Sequence, residues 1–560
     1  MPTCRECNSA FSVHPNDQKI LDYFSAPEPT LCATHSLQQR LSWRNERHLY
    51  TRTCELCKKE ILAVYSLRSY AKVLCNTCWY GDGWDPLGYG RDYDPSQSFI
   101  DQWYALMKDV PHVATVLYQQ PVNCEYANWI VGGKDNYLTF SAVQSEGSLY
   151  SRLIDYSRDC SDCLSVLRSE LLYDCVSTTD SHACAFVTRA EKCSDCYLGR
   201  DLHDCQNCFG CVNLKHRQYY WYNEKCSKEE YERRLNAAFQ TRTSFEEHMK
   251  KFDAFSSAQP VECATIRRSE DSVGNEIYNS RLVRKSFTIV ESENISESMR
   301  IAYDAHDIYR CSFGGSGATT GYECSSTPGT NTVLCSFCAG NCAFSSYCYF
   351  CINSQDLFGC VNLRKKQFCI LNKQYDEGAY KKLRDQIIAD MKKRGEWAEF
   401  FPMRYSPLAY NESLAHEYLP LSGDNAVKIG LRWEDEEKGV RGKETIMPET
   451  ILSDTSTIDE HITKEILRCV ACTANYRILR KELGHLKKMR LPIPLECQDC
   501  RFKSRMKRFF VPILYHRTCM CTEGHAHHGS ASCTNEFETT YRPDGKDIVY
   551  CHPCYQELLS

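Results

Sequence analysis

The chain has 560 residues, enough for several domains, and a formal charge of −5, which excludes a protein that is basic over its whole surface. Its one compositional outlier is cysteine, with 37 copies. No apolar h-region follows Met1-Pro2-Thr3-Cys4, and no run of about 18 apolar residues is present, so neither a secreted disulfide protein nor a membrane-spanning one is expected. Cysteine pairs in the reducing cytoplasm that remains point to metal rather than to disulfides.

Residues 1–80 read as two zinc-binding modules. Cys4-x2-Cys7 pairs with Cys32-x2-His35, and Cys54-x2-Cys57 with Cys75-x2-Cys78. Zinc takes four tetrahedral sulfur or nitrogen ligands; one knuckle supplies two and a second closes the site. A closed site leaves no position for water, so these ions are expected to be structural. Residues 81–122 read as a connector.

In the middle of the chain cysteines recur on a nine-residue beat: Cys175, Cys184, Cys193 and, after Leu202, Cys211; then Cys324 and, after Val333, Cys342, Cys351 and Cys360. The beat predicts a two-sided β-solenoid with about 18 residues per coil, its thiols packed inward as small hydrophobes. Each series ends in the same hexamer, Phe209-Gly-Cys-Val-Asn-Leu214 and Phe358-Gly-Cys-Val-Asn-Leu363, 149 residues apart. A strand follows each copy, then a helix capped by Ser227 or Asp376 that covers the open edge. The predicted segments are solenoid 1 over 123–240, a connector over 241–273, solenoid 2 over 274–397, each of roughly five coils, and a polar linker over 398–465. The fold class is thus multidomain and mainly β: duplicated Cys-rich β-solenoids with cap helices, flanked at both ends by paired zinc-ribbon or treble-clef-like modules.

The C-terminal modules, 466–515 and 516–560, repeat the N-terminal pair. Cys469, Cys472, Cys497 and Cys500 align with Cys4, Cys7, Cys32 and His35, because Cys4–Cys32 and Cys469–Cys497 both span 28 residues. Cys533, Cys551 and Cys554 align with Cys57, Cys75 and Cys78, and either Cys519 or Cys521 must supply the fourth ligand. The cluster His525-Ala-His527-His528 is close enough to compete or to build a fifth site. About four structural Zn2+ ions are expected from this ligand count.

The order of modules, Trp84-Asp-Pro-Leu-Gly-Tyr-Gly-Arg-Asp92, the repeated hexamer and the tail Val549-Tyr-Cys551-x2-Cys554-Tyr555 resemble uncharacterised multi-zinc-ribbon, Cys-rich repeat proteins of ultrasmall candidate-phyla bacteria. The resemblance spans nearly the whole chain and implies fold and zinc, but no activity. His35 departs from it, standing where similar ribbons carry Cys.

The favoured function is a non-catalytic interaction scaffold. Its basic C-terminal module offers Lys487, Lys488, Arg490, Arg501, Lys503, Arg505, Lys507 and Arg508, interleaved with Phe502, Phe509 and Phe510, as a footprint for nucleic acid or an acidic protein surface. The competing reading is a solvated basic face. A β-helix enzyme acting on polysaccharide would use Asp201, His203 and Asp204, or Asp304, His306 and Asp307, although both clusters fit turns. A redox or metal-cluster role would use Cys193, Cys196, Cys205, Cys208 and Cys211. It requires a corner inside each Cys-x2-Cys, because residues i and i+3 of a flat strand face opposite ways.

Overall fold

From Tyr150 to Asn207 every third residue is left-handed, with φ between 46° and 58°. The computed structural model in which this is seen describes residues 1–560 except 303–307, 315, 316, 318, 327, 436–438, 452–458, 530 and 560. A left-handed residue with a Cβ is unfavourable by roughly 1–2 kcal/mol, so such a run persists only where hydrogen bonds over-determine it. Here they do. The chain bends at each third residue, and after four bends it lies parallel to itself. Leu117 pairs with Ile130, and the line continues through Ala142, Ile154, Val166, Thr178, Ala190, Leu202 and Leu214 at twelve-residue steps.

A second parallel ladder starts at Ile266–Arg267, paired eleven residues on with Ile277–Tyr278. It steps by twelve from Gly274 to Ser286, by thirteen from Met299 to Ser312 and Ser325, and by twelve again through Phe337, Tyr349 and Val361. The molecule is multi-sheet, with mixed strands and helices.

The coil of about 18 residues is therefore overturned: the true step is twelve, built of triplets. One residue per triplet points inward, so cysteines nine apart are three corners apart, and the nine-residue beat is a multiple of the real period. The spacing still has a physical basis. The Cys175 thiol donates to the Cys184 carbonyl at 3.4 Å, and Cys193 does the same to Leu202 at 3.3 Å. A serine line shares the core with them. Ser157, Ser169, Ser181 and Cys193 each donate a backbone N–H to the serine oxygen twelve residues earlier, at 3.0–3.4 Å. Both ladders begin earlier than predicted, near 117 and 266 rather than 123 and 274, and both run beyond five steps.

The ends of the ladders match the expectation. Gln218–Trp221 and Gln367–Ile370 each turn back into a two-residue antiparallel strand, followed by helices Lys228–Gln240 and Glu377–Arg394. Ser227 accepts from the Glu230 N–H and Asp376 from the Ala379 N–H, as N-caps should.

Three segments read as connectors are structured. Residues 81–122 contain helix Phe99–Asp109, and His112–Val113 pairs in parallel with Val73–Leu74. Residues 241–273 contain helix Arg242–Ser257, and Val261–Glu262 pairs in parallel with Val549–Tyr550. Residues 398–465 are no polar linker: Tyr410, Leu414, Tyr418 and Ala426 are buried in a core that Val176 of the first ladder and Phe287 of the second share. Apolar residues at helical spacing between charged ones find a partner in the cleft between the ladders, which the charge-rich composition concealed.

The N-terminal segment also enters that cleft. Arg44 donates to Ser141 of the first ladder at 2.9 Å and to Ser326 of the second at 2.6 Å. Buried Glu46 neutralises it at 2.7 Å and meets Arg152 at 2.6 Å. Burial pushes the Glu46 carboxyl up, but the Arg152 and Arg44 guanidiniums outweigh it and hold it at about 2.

Candidate metal centres

Three first knuckles share one backbone loop. The N–H groups of Cys4, Cys54 and Cys469 donate to the carbonyls of Ser9, Lys59 and Ala474, each at 2.9 Å. The carbonyls of the same cysteines accept from Asn8, Lys58 and Thr473, which are left-handed at φ 58°, 61° and 63°. The loop folds both thiols of the knuckle to one side. Each second knuckle opens a helix: Cys32 precedes Ala33–Leu41, Cys75 precedes Asn76–Tyr80, Cys497 precedes Gln498–Arg508 and Cys551 precedes His552–Leu559. Burial nevertheless pushes the Cys32, Cys75 and Cys497 thiols up, against the lowering effect of nearby backbone amides.

These elements bring four ligand sets together: Cys4, Cys7, Cys32 and His35; Cys54, Cys57, Cys75 and Cys78; Cys469, Cys472, Cys497 and Cys500; and Cys519, Cys533, Cys551 and Cys554. Within each set all ligand atoms lie within 4.8 Å of one another. Tetrahedral zinc at ordinary bond lengths sets sulfur atoms about 3.8 Å apart and sulfur from nitrogen about 3.5 Å. Cys57–Cys75, Cys472–Cys497 and Cys533–Cys551 are 3.9, 3.6 and 3.8 Å apart, and His35 Nδ1 lies 3.6 Å from Cys4 and 3.2 Å from Cys32. The donor sets therefore fit a tetrahedral ion.

The choice between Cys519 and Cys521 is decided by one repeated bond. The Cys75 N–H donates to Cys54 Sγ at 3.3 Å, Cys497 to Cys469 at 3.3 Å, and Cys551 to Cys519 at 3.2 Å. Cys519 is thus the counterpart of Cys54 and Cys469. Burial raises the thiols of Cys4, Cys54 and Cys469, but backbone amides outweigh it and bring them to about 6, 6 and 7. In the last set Cys551, at about 6, is the lowered thiol, while burial holds Cys519 up at about 11.

The ladder cysteines are different. Most inward thiols donate to backbone carbonyls, as Cys196 does to Ser194 and Cys205 at 3.3 and 3.5 Å. Burial pushes Cys175 and Cys360 well above the ordinary thiol range and Cys369 up to about 12. A left-handed corner such as Asp195 or Asn207 does stand inside these Cys-x2-Cys pairs, but the thiols it aligns face backbone carbonyls, Cys196 that of Ser194 and Cys208 that of Gln206.

The basic footprint is only partly free. Arg505 is fully buried, donating to Asp162 at 2.8 Å and to the Tyr150 carbonyl at 3.2 Å. Arg501 pairs with Glu482 at 2.9 Å and Asp162 at 3.3 Å, and Arg508 with Asp174 at 2.6 Å. These three arginines dock the third module on the first ladder and are removed from the proposed phosphate contacts. Phe509 is core, and Phe510 stacks on Phe287 at 5.7 Å. Lys487, Lys488, Lys503 and Lys507 are exposed, as is Arg490, which donates to Asn236 at 3.0 Å.

The first module docks the same way on the other ladder. Under the alignment of Cys4 with Cys469, Arg40 falls on Arg505. Arg40 is equally buried, donating to Glu323 at 2.8 Å and to the Glu297 carbonyl at 3.0 Å. The N-terminal metal pair thus lies on the second ladder, and the C-terminal pair on the first.

Of the candidate acid–base clusters, Asp201 is buried at a left-handed corner and held by Arg189 at 2.6 Å, and Asp204 meets His216 at 2.8 Å. Asp304, His306 and Asp307 lie outside the described residues. Among the described residues no helix is long and apolar enough to cross a membrane. Comparison with protein-family models, with curated proteins and with solved structures gave no match to this chain.

Proposed function

We propose that the protein is a zinc-holding, non-catalytic interaction scaffold: two β-solenoids closed at twelve residues per coil, each braced by a pair of structural zinc modules. The observation that carries this reading is the amide-to-thiol bond repeated in three separate four-ligand sets. Cysteines arranged for packing alone have no reason to share it. Thiolate and imidazole ligands at tetrahedral spacing suit zinc, and thiolates persist in a reducing cytoplasm.

A partner surface remains at Lys487, Lys488, Arg490, Lys503 and Lys507, which stay exposed on the third module. Five cations that pair with no carboxylate among the described residues suit an extended anion, with nucleic acid the first candidate and an acidic protein surface the second. The test of the zinc reading is metal counting on full-length protein. Cys7→Ser, Cys57→Ser and Cys472→Ser should each lower bound zinc by one ion, and variants that retain the wild-type count would refute it.

A further inference from the structure

The fourth module departs from the other three in one respect. Its first knuckle is Cys519-x13-Cys533, where the others have Cys-x2-Cys, so eleven residues are inserted between the first two ligands. The knuckle closes as if they were absent: Cys519 N–H donates to the Asn535 carbonyl at 2.8 Å, the bond that Cys54 makes to Lys59. The insertion carries four more Cys and His residues, Cys521, His525, His527 and His528, and folds them back onto the site. The Cys533 N–H reaches the Cys521 carbonyl at 3.0 Å, and His525 and Gly529 pair across a tight turn.

We infer that this inserted loop builds a second zinc site from Cys521, His525, His528 and Cys554, with Cys554 Sγ bridging it to the ion held by Cys519, Cys533 and Cys551. The four ligand atoms lie within 4.8 Å of one another. His525 Nε2 is 3.2 Å from Cys521 Sγ and His528 Nε2 is 3.5 Å from Cys554 Sγ, close to the sulfur–nitrogen edge of about 3.5 Å for tetrahedral zinc.

The outer contacts of the two imidazoles point the same way. His525 Nδ1 faces Glu557 Oε2 at 3.0 Å, and His528 Nδ1 faces the Ala531 carbonyl at 2.8 Å. Both acceptors keep the ring proton on Nδ1, which leaves each Nε2 lone pair turned toward the thiols. A carboxylate or carbonyl behind the ring is the usual support of a metal-bound histidine. Charge is compatible with a pair of ions: five thiolates come within one unit of balancing two dications. His527 Nε2, 3.3 Å from Cys554, is the nearest competitor for the bridged position.

This site rests on the zinc reading of the fourth module, and the experiment separates the two. Native mass spectrometry of the full-length chain should find five zinc ions in the wild type and four in His525→Ala/His528→Ala. A wild-type count of four, unchanged in the double variant, overturns the site. If Cys57→Ser cost no ion while the double variant still lost one, the general module reading would fail and this site would stand. Should the double variant not fold, cadmium-113 NMR of the substituted wild type decides. Two cadmium resonances coupled to each other through one sulfur support the bridge, and no such coupling contradicts it.

Discussion

Asn213 and Asn362, the asparagines of the two hexamers, make the same bond: each side-chain amide donates to a proline carbonyl, Pro260 at 2.9 Å and Pro111 at 2.8 Å. Each proline precedes the short strand that pairs with a module carrying a four-ligand set, Val261–Glu262 with Val549–Tyr550 and His112–Val113 with Val73–Leu74. The hexamer recurs because each ladder must hold one such strand. Its glycine is required too: Gly210 and Gly359 have φ of 68° and 63°, and a Cβ there would meet the Tyr222 and Phe99 rings at 2.7 and 2.4 Å. Its valine is gripped on both backbone atoms by one further amide, Asn223 on Val212 and Asn372 on Val361, at 2.8–2.9 Å. Asn362→Ala should lose about 1–3 kcal/mol, the cost of a buried unpaired carbonyl. Hydrogen exchange at 112–113 and 73–74 should rise while 261–262 stays protected.

The docking of each metal pair on the distant ladder makes protection cross over. Cys7→Ser should loosen the second ladder around Glu297 and Glu323, where Arg40 binds, and leave the first ladder intact around Asp162 and Asp174, which the third module holds. Cys472→Ser should loosen the first ladder around Tyr150 and Asp162, where Arg505 binds. Hydrogen-exchange mass spectrometry reads both; loosening confined to the mutated ends would contradict the docking.

Ladder cysteines should accept small apolar replacements. Cys184→Ala and Cys351→Val are expected to cost about 1–2 kcal/mol through cavity or overpacking effects, with no zinc lost. Chemical denaturation gives the first quantity and metal counting the second.

Glu46 gives a dependence on pH. Its folded value of about 2 lies below the ordinary 4.5, so its contribution is full above about 4.5 and is lost as pH falls toward 2. Acid also protonates the clustered thiols and imidazoles, so the comparison is between wild type and Glu46→Gln. The variant should be less stable at neutral pH by about 3–5 kcal/mol, the cost of breaking a buried pair, and the gap should narrow below pH 4.5. Denaturant titration at several pH values measures it; a constant gap would contradict the assignment.

The ligand sets were legible because a knuckle is local: Cys-x2-Cys carries its geometry in four residues. The last set was ambiguous because an insertion split its knuckle, and the backbone bonds at Cys519 resolve it. The ladder period was hidden because inward positions accept Cys, Ser, Thr, Ala, Val and Leu alike. The missed signal was serine at twelve-residue spacing, 145, 157, 169 and 181. Arg505 looked like a phosphate contact because its partner Asp162 stands 343 positions away, beyond the reach of any local pattern.

The most direct test is zinc content of the full-length protein purified without added metal, by elemental analysis against protein mass. Four repeated tetrahedral sets require at least four zinc ions per chain, with the fifth at the inserted loop. A value near one, or stoichiometric iron in place of zinc, would contradict the account.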